Sequence, residues 1–598
     1  MPRKGFAPTP TVYFRNIAGL PNPSANGLQD FADGVAFQYR RTDNLAADVP
    51  VALWGIGFYG QDEWKVTSRL TLTLALRLEH NSNPVCQTNC FANFTGDFST
   101  LASVRAGANA GNVPYSSDIK FNQHQAFEGV DTLNPSPRLA FSWSPFSSSK
   151  TVVSGGVGLF YDNPAAGLVD DLLANPPAAV QLRVRPSTGT AGFDPSGAAA
   201  TYQAAVSTFS ITQSYNQIKS TLATQGVNFT APAFTSIIGT VHSPQAQEWN
   251  LKVQQQIGTN TALTVNYVGN HVIHIPYTNA WLNAYDAACL FADASCNSLV
   301  AGIREGSPVV PNYGTVTQVK SGALSNYNGV SVSVREQFSS WFLAHFNYTY
   351  SHNLDEVSNG GIFTYGDSLL GQINPTSLRA SNYGNSDYDI RHLVSADYVL
   401  SPNPHFGNKY VSKWLLGGWQ WAGKVFARDG LPFSVIDNNW SGGTFVNGGG
   451  TIFAQPISGV TAQGSCGLSD VVTNGTAAFG TTACLNQAAF VNSGAASFAG
   501  YTQWPTQTRN KFRGPNYFDM DMALFKNFSI RERYKFGLGV EAFNVFNHPN
   551  FGTPDSGFGD STFGQISGVV GTPTSPYGNF LGFDSSVRVV QLSLKLTF

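Results

Sequence analysis

Apolar and polar residues alternate one for one along much of this chain. Between Arg69 and His80, Leu70, Leu72, Leu74, Leu76 and Leu78 hold one parity. Thr71, Thr73, Arg77 and Glu79 hold the other, with small Ala75 between them. A period of two sends the two sets to opposite faces of a sheet. The pattern recurs where Trp249, Leu251 and Val253 alternate with Asn250, Lys252 and Gln254, and where Leu263, Val265 and Tyr267 alternate with Thr264 and Asn266. It returns as Val330, Val332 and Val334 against Ser331, Ser333 and Arg335, and as Phe346, Tyr348 and Tyr350 against His345, Asn347 and Thr349. Tyr534, Phe536, Leu538 and Val540 repeat it against Lys535, Gly537, Gly539 and Glu541.

The alternation predicts strands near 34–42, 53–65, 69–80, 137–145, 151–161, 245–257, 261–270, 327–338, 342–352, 388–400, 413–427, 516–529, 533–547 and 586–598, with an extra one near 11–16. Their connections alternate in length. Short ones fall at 66–68, 146–150, 258–260, 339–341, 401–412 and 530–532, and long ones at 81–136, 162–244, 271–326, 353–387, 428–515 and 548–585. A soluble sandwich, with its leucines facing a core, has no reason to sort its loops in this way. An outer-membrane barrel does, with short turns in the periplasm and long loops outside.

Composition supports the barrel. Charged residues make up 12% of the chain and aromatic ones 13%, where soluble proteins carry about 25% charge. A lipid-facing wall needs no charged surface. No stretch reaches the roughly 18–20 apolar residues of a membrane helix. Spanning strands must close, because open sheet edges leave backbone groups unsatisfied in lipid. The expected fold is therefore all-β, a transmembrane antiparallel up-and-down β-barrel with about 14–16 strands in this chain. Residues 1–33 read as irregular or a partial strand, and 34–598 as one barrel domain. The net charge is −2 and no Lys/Arg cluster stands out, which disfavours nucleic acid as a partner. Outer-membrane lipid is the expected surrounding. The start, Met1-Pro-Arg-Lys-Gly-Phe-Ala-Pro8, has two basic residues but no apolar run behind them. An exported protein needs a signal peptide, so the expectation is a fragment or a misassigned start.

Six cysteines form three local pairs in long connections: Cys86 with Cys90, Cys289 with Cys296, and Cys466 with Cys484. Oxidising surroundings would make these loop disulfides. The alternative is zinc. Only the Cys86–Cys90 spacing suits it, and no second ligand pair follows closely.

Other motifs carry less. Gly418 to Lys424 matches the first seven positions of a phosphate-binding loop, but Val425 replaces the hydroxyl residue and no helix follows. Gly155, Gly156 and Gly158 sit inside an alternating strand and read as bends or close packing rather than a nucleotide site. His271 and His274 lie just past a strand. They read as loop-base histidines before a metal pair, since no carboxylate lies beside them in sequence. Asp519 and Asp521 share a lumen-facing parity and read as partners for basic groups rather than as catalytic acids. No nucleophile elbow is present in a strand–turn–helix setting. Neither enzyme chemistry nor a cofactor or metal is expected.

Some segments resemble a known family. Phe58-Tyr-Gly-Gln-Asp-Glu-Trp-Lys-Val-Thr-Ser-Arg-Leu-Thr-Leu-Thr-Leu-Ala-Leu-Arg-Leu-Glu79 resembles the strand–turn–strand signature of TonB-dependent receptors. Phe543-Asn-Val-Phe-Asn-His-Pro-Asn-Phe551, Asn134-Pro-Ser-Pro-Arg-Leu-Ala-Phe141 and Val587 to Phe598 are similar to its Oar-like branch, common in acidobacteria. The resemblance implies a 22-stranded barrel with a plugged lumen, of which this chain would be the C-terminal two-thirds. The signal peptide and plug would lie outside it, and the TonB system would act only through that plug. The resemblance also implies that Leu592, Leu594, Leu596 and terminal Phe598 form the signal read by the barrel-assembly machinery. The implied function is energised uptake of an external ligand, with no chemistry in this chain. The alternative is a passive porin or a structural or adhesion barrel.

Overall fold

A computed structural model describes residues 11–14, 27–34, 36, 38–44, 49–105, 110–163, 166–176, 179–184, 199–200, 203–204, 206–207, 210–224, 231–284, 308–339, 341–358, 371–402, 411–438, 451–464, 484–491, 505–530, 534–566, 568–570 and 587–597. Its centre is one antiparallel wall in which each strand pairs with the next in sequence. The wall strands are β1 (Gly55–Thr67), β2 (Leu70–Asn81), β3 (Asn134–Trp143), β4 (Thr151–Tyr161), β5 (Gln245–Ile257), β6 (Thr261–Asn279) and β7 (Val316–Ser339). They continue as β8 (Phe342–Asp355), β9 (His392–Leu400), β10 (Trp419–Arg428), β11 (Tyr517–Ile530), β12 (Tyr534–Phe543) and β13 (Val589–Thr597). Odd-to-even connections are short and even-to-odd connections long, as the alternation predicts. Among the described residues β1 hydrogen-bonds only β2 along the wall, and β13 only β12.

The register keeps the apolar parity on one face across the whole wall. Leu74 stands opposite Leu139, Leu139 opposite Val157, and Val157 opposite Trp249. Val265 stands opposite Val332, and Val334 opposite Phe346. These side chains have no apolar neighbours above them: Leu74 is 49% exposed and Leu594 is 69%. An apolar face this wide on a protein surface marks contact with lipid or a partner. Gly269 lets two strands share one ring on this face. A Cβ on residue 269 would collide with the Trp249 indole.

Four elements differ from the sequence expectation. The strand expected at 413–427 begins only at Trp419, because Val411–Leu416 form a helical turn. The strand near 34–42 forms at Gln38–Asn44, but it pairs with Thr11–Tyr13 and Ala179–Val184, apart from the wall. Gln38-Tyr-Arg-Arg-Thr-Asp-Asn44 is polar on both parities and has no face for lipid. The strands expected at 261–270 and 327–338 run on as β6 and β7. A strand crosses the hydrocarbon in about 9–11 residues, and β7 has 24. The surplus stands on the long-connection side, where no lipid demands alternation, and so the pattern lapses there while pairing continues.

Buried hydrophobic residues gather in the long connections rather than in the wall. Phe94, Phe98, Tyr115, Phe234, Tyr313 and Val316 pack into one cluster, drawn from the connections after β2, β4 and β6 and the start of β7. Phe94 and Phe234 have ring centres 4.2 Å apart, and Tyr313 meets Phe94 edge-on at 5.1 Å. Phe433, Val435, Leu485, Phe490, Phe512, Phe558 and Phe563 form a second cluster from the connections after β10 and β12. No helix among the described residues is long and apolar enough to cross a membrane.

Candidate functional site on the inner wall and the loop rim

The second parity of each wall strand lines the inner face. Across five strands it sets charges side by side: Arg335 opposite His345, His345 opposite Asp397, Asp397 opposite Lys424, and Lys424 opposite Asp521. His345 Nδ1 lies 3.1 Å from an Asp397 carboxylate oxygen, and the backbone N–H of Asn544 donates to Asp521 at 3.0 Å. From Asp397 to Asp521 the row alternates in sign, with Lys424 between two aspartates, and Arg335 and His345 extend it on the basic side. That arrangement suits a wet lumen that meets polar surface. It offers no nucleophile–base pair.

The loop rim is fixed by a buried ionic network. Arg509 is fully buried. Its guanidinium pairs with Asp355 and lies 3.6 Å from Asp387, and it donates to the carbonyls of Asn382 (2.9 Å) and Asp355 (2.7 Å) and to Ser358. One turn of chain later, Arg513 pairs with Asp389, which also holds Arg391 at 3.0 Å. Asn510, between the two arginines, donates to Asp387 at 2.6 Å and to the Asn385 carbonyl at 2.8 Å. Three arginines thus face three aspartates, with Arg509 enclosed and Arg391 and Arg513 partly exposed, and the six charges sum to zero. Burial of charge is tolerable only when it is paired and hydrogen-bonded in this way. The network ties the end of β8 and the connection after it to the segment entering β11, more than a hundred residues away. No sequence motif signals it; Arg509 and Arg513 are unremarkable in a polar, Gly-rich stretch.

In the first cluster the titratable groups are pushed by burial. Tyr115 and Tyr313 are held well above the ordinary tyrosine value of 10.0 by desolvation. Burial likewise raises Asp118, against the pull of Arg105 at 3.2 Å.

On the opposite, short-turn side an anchor of mixed chemistry appears. Lys526 shares the outward parity of Leu524 but is buried. Its ammonium bends to the carbonyls of Leu415 and Gly417 and lies 4.8 Å from the Trp419 ring centre and 5.2 Å from that of Phe528. A long basic side chain that turns its head to the interface in this way snorkels. Gly418 to Lys424 is thus a turn glycine followed by a paired strand, not a phosphate loop. Gly155, Gly156 and Gly158 lie within β4, close against strands β3 and β5.

The other sequence-selected residues fall as follows. Cys86 and Cys90 are joined by a disulfide. Cys484 is buried beside Ile566; Cys289, Cys296 and Cys466 lie outside the described residues. Leu592, Leu594 and Leu596 stand exposed on the outer face of β13, and Phe598 lies outside the described residues. His271 does not meet His274. Its Nδ1 pairs with Asn326 at 2.6 Å, while His274 turns toward His242.

Residues 5–591 match the family model described as an outer membrane beta barrel domain. No curated protein matches the chain. Among solved structures, the chain is similar to the outer membrane transporter YddB from Escherichia coli at 9% identity and a TM-score of 0.35, covering 94% of this chain and 60% of that one. It is similar to the FrpB iron transporter of Neisseria meningitidis (9%, TM-score 0.32; 89% and 57% covered) and to P. aeruginosa FpvA bound to pyoverdines (9%, TM-score 0.36; 89% and 38% covered). The chain spans less than two thirds of each of these proteins. With an alternating wall, a sorted set of connections and a family match over nearly its whole length, the chain belongs to the outer-membrane β-barrel family, and its place is the outer membrane.

Proposed function

We propose that the chain is wall and loop rim of a TonB-dependent outer-membrane receptor of the Oar-like type, which takes up an external ligand with energy delivered from the inner membrane. The observation that carries the reading is the pair of wall ends. β1 and β13 both run from the long-connection side to the short-turn side, so joining them directly would make a parallel seam. Bacterial single-chain barrels are antiparallel and even-stranded, and unpaired edges are not tolerated in lipid. The thirteen wall strands among the described residues therefore call for an odd number of further strands to close the ring. The 22-stranded ring that the resemblance implies needs nine more, an odd number, and a lumen of that size holds a plug, to which the charged inner row offers a polar face. The resemblance of Phe58 to Glu79 to the receptor signature supports the same reading. The loop rim would take the ligand, and the chain would perform no chemistry of its own.

The test is uptake by cells carrying the whole gene product, with the inner membrane energised or collapsed and with TonB present or deleted. Uptake that needs both energy and TonB is the expected result. A steady ohmic conductance in planar bilayers, with uptake indifferent to TonB, would overturn the reading in favour of a porin.

A further inference from the structure

At the loop rim above β5 and β6, two histidines from distant segments come together. His242 follows the short strand Thr240–Val241, which pairs in parallel with Gly129–Val130. That pairing brings Asp131 beside it: His242 Nδ1 lies 2.8 Å from one Asp131 carboxylate oxygen, and the backbone N–H of Ser243 donates to the other at 2.8 Å. In the neutral imidazole that contact places the proton on Nδ1 and leaves Nε2 of His242 as the lone-pair nitrogen. His274 stands where the pairing of β6 with β7 slips, between Val272 and Ile275. Its φ is 61°, a left-handed conformation that costs a non-glycine residue free energy. Its Nδ1 is buried and has no hydrogen-bond partner. The ring centres of His242 and His274 are 4.9 Å apart, with the planes at 61°.

These four features share one explanation. With metal–nitrogen bonds of about 2.0–2.1 Å, two imidazoles bound side by side on one ion hold their ring centres about 4.5–5.2 Å apart. A metal-bound histidine commonly passes its other N–H to a carboxylate, as His242 does to Asp131. A buried imidazole nitrogen with no partner gains one when it ligates. The strain at residue 274 aims its ring at His242 rather than along the strand, and backbone strain of this kind collects at ligand sites. We propose that His242 and His274 bind one transition-metal ion of the imidazole-preferring class, Cu²⁺, Zn²⁺ or Ni²⁺, with Asp131 as the residue that orients His242. Among the described residues no group of three or more His, Cys, Asp and Glu side chains forms a metal cage. The ion would thus keep open positions for water or for a ligand arriving from outside. The inference is independent of the uptake reading, since the rim site stands whichever way the barrel transports.

The probe is Cu²⁺ alone, titrated into the full chain in detergent micelles and read by calorimetry and by electron paramagnetic resonance. The expected result is one ion per chain with hyperfine coupling to two imidazole nitrogens. His242→Ala should weaken binding at least tenfold, and Asp131→Asn by a smaller factor. His274→Gly tests the same ligand without a folding objection, because glycine accepts the left-handed backbone; it should also weaken binding at least tenfold while the protein keeps its heat-modifiable migration. Coupling to a single nitrogen, or unchanged affinity in either histidine variant, would overturn the site. So would an absence of binding in the unmodified chain, which would leave the two rings as an edge-on stacking pair.

Discussion

The wall and the loop rim invert each other's rules. In the wall, leucines and valines stand exposed and most charges face inward, with Asp62, Glu336 and Lys526 the exceptions on the outer parity. In the rim, aromatics are buried and charges are locked among aspartates. The wall has no core because lipid does that work from outside; its order comes from hydrogen-bond ladders and from a parity that lipid enforces on one face. The rim stands in water on the outer side and must build a core of its own. It does so by pooling residues from several connections, none of which carries enough apolar surface alone. The first cluster relies on Phe94, Phe234 and Tyr313. The connection after β8 is held to the approach of β11 by the Arg509 network. The two regions therefore answer to different perturbations.

The largest effect that separates them is expected at Arg509. Arg509→Ala removes the guanidinium from buried Asp355 and Asp387, and losing one member of a buried ionic set costs about 3–5 kcal/mol. The rim should become open to proteolysis between β8 and β11 while the wall keeps its resistance to detergent. A variant whose rim and wall fail together would show that the two are one cooperative unit.

The next effect belongs to the wall. Val265→Arg, between Val253 and Val332, puts a charge on the lipid face, at a cost of about 2–4 kcal/mol near the bilayer midplane. Thr264→Arg, one residue away on the inner face, should cost little. Urea unfolding in lipid vesicles measures both. Equal losses would mean that the parity does not separate lipid from lumen.

Gly269→Ala should cost about 1–3 kcal/mol by overpacking the Trp249 indole, and Trp249→Ala in the same chain should restore most of the loss. A double-mutant cycle on thermal melts gives the coupling.

Alkaline pH should attack the rim before the wall. Tyr115 and Tyr313 have their folded values raised above 10.0 by burial. The stability they contribute is full below the unfolded tyrosine value and is lost as pH rises through the folded ones. Tyrosinate absorbance should therefore appear late and together with loss of near-UV signal from the rim. Early, non-cooperative ionisation of both residues would contradict their burial.

The smallest effect is expected from reducing the Cys86–Cys90 bridge. Its loop is so short that the entropic contribution is about 2 kcal/mol or less, and the change should be confined to protection of residues near 85–90 in hydrogen exchange.

The strictness of the alternation tracks how much of this was legible. β5 runs Gln245–Ile257, as the sequence predicts, because every residue there faces either lipid or lumen. β6 and β7 were legible only up to the edge of the membrane. Beyond it, as at Thr278 or Gln318, strand pairing is held by neighbours and leaves no period to read. The rim was legible only as polar, cysteine-bearing connections. Arg509 meets Asp355 across 154 residues, and His242 meets His274 only because a parallel bridge and a bulge place them together; no local signal encodes either meeting.

What the sequence determined by itself is the two-faced wall, its strand order and the side on which its loops lie. These follow from a period of two and from connection lengths, both of which are local properties of the chain. What the tertiary structure decided is which loops share a core, which charges cancel and which histidines converge. Those depend on contacts between segments far apart in the chain, and such contacts exist only once the wall has set the loop ends side by side.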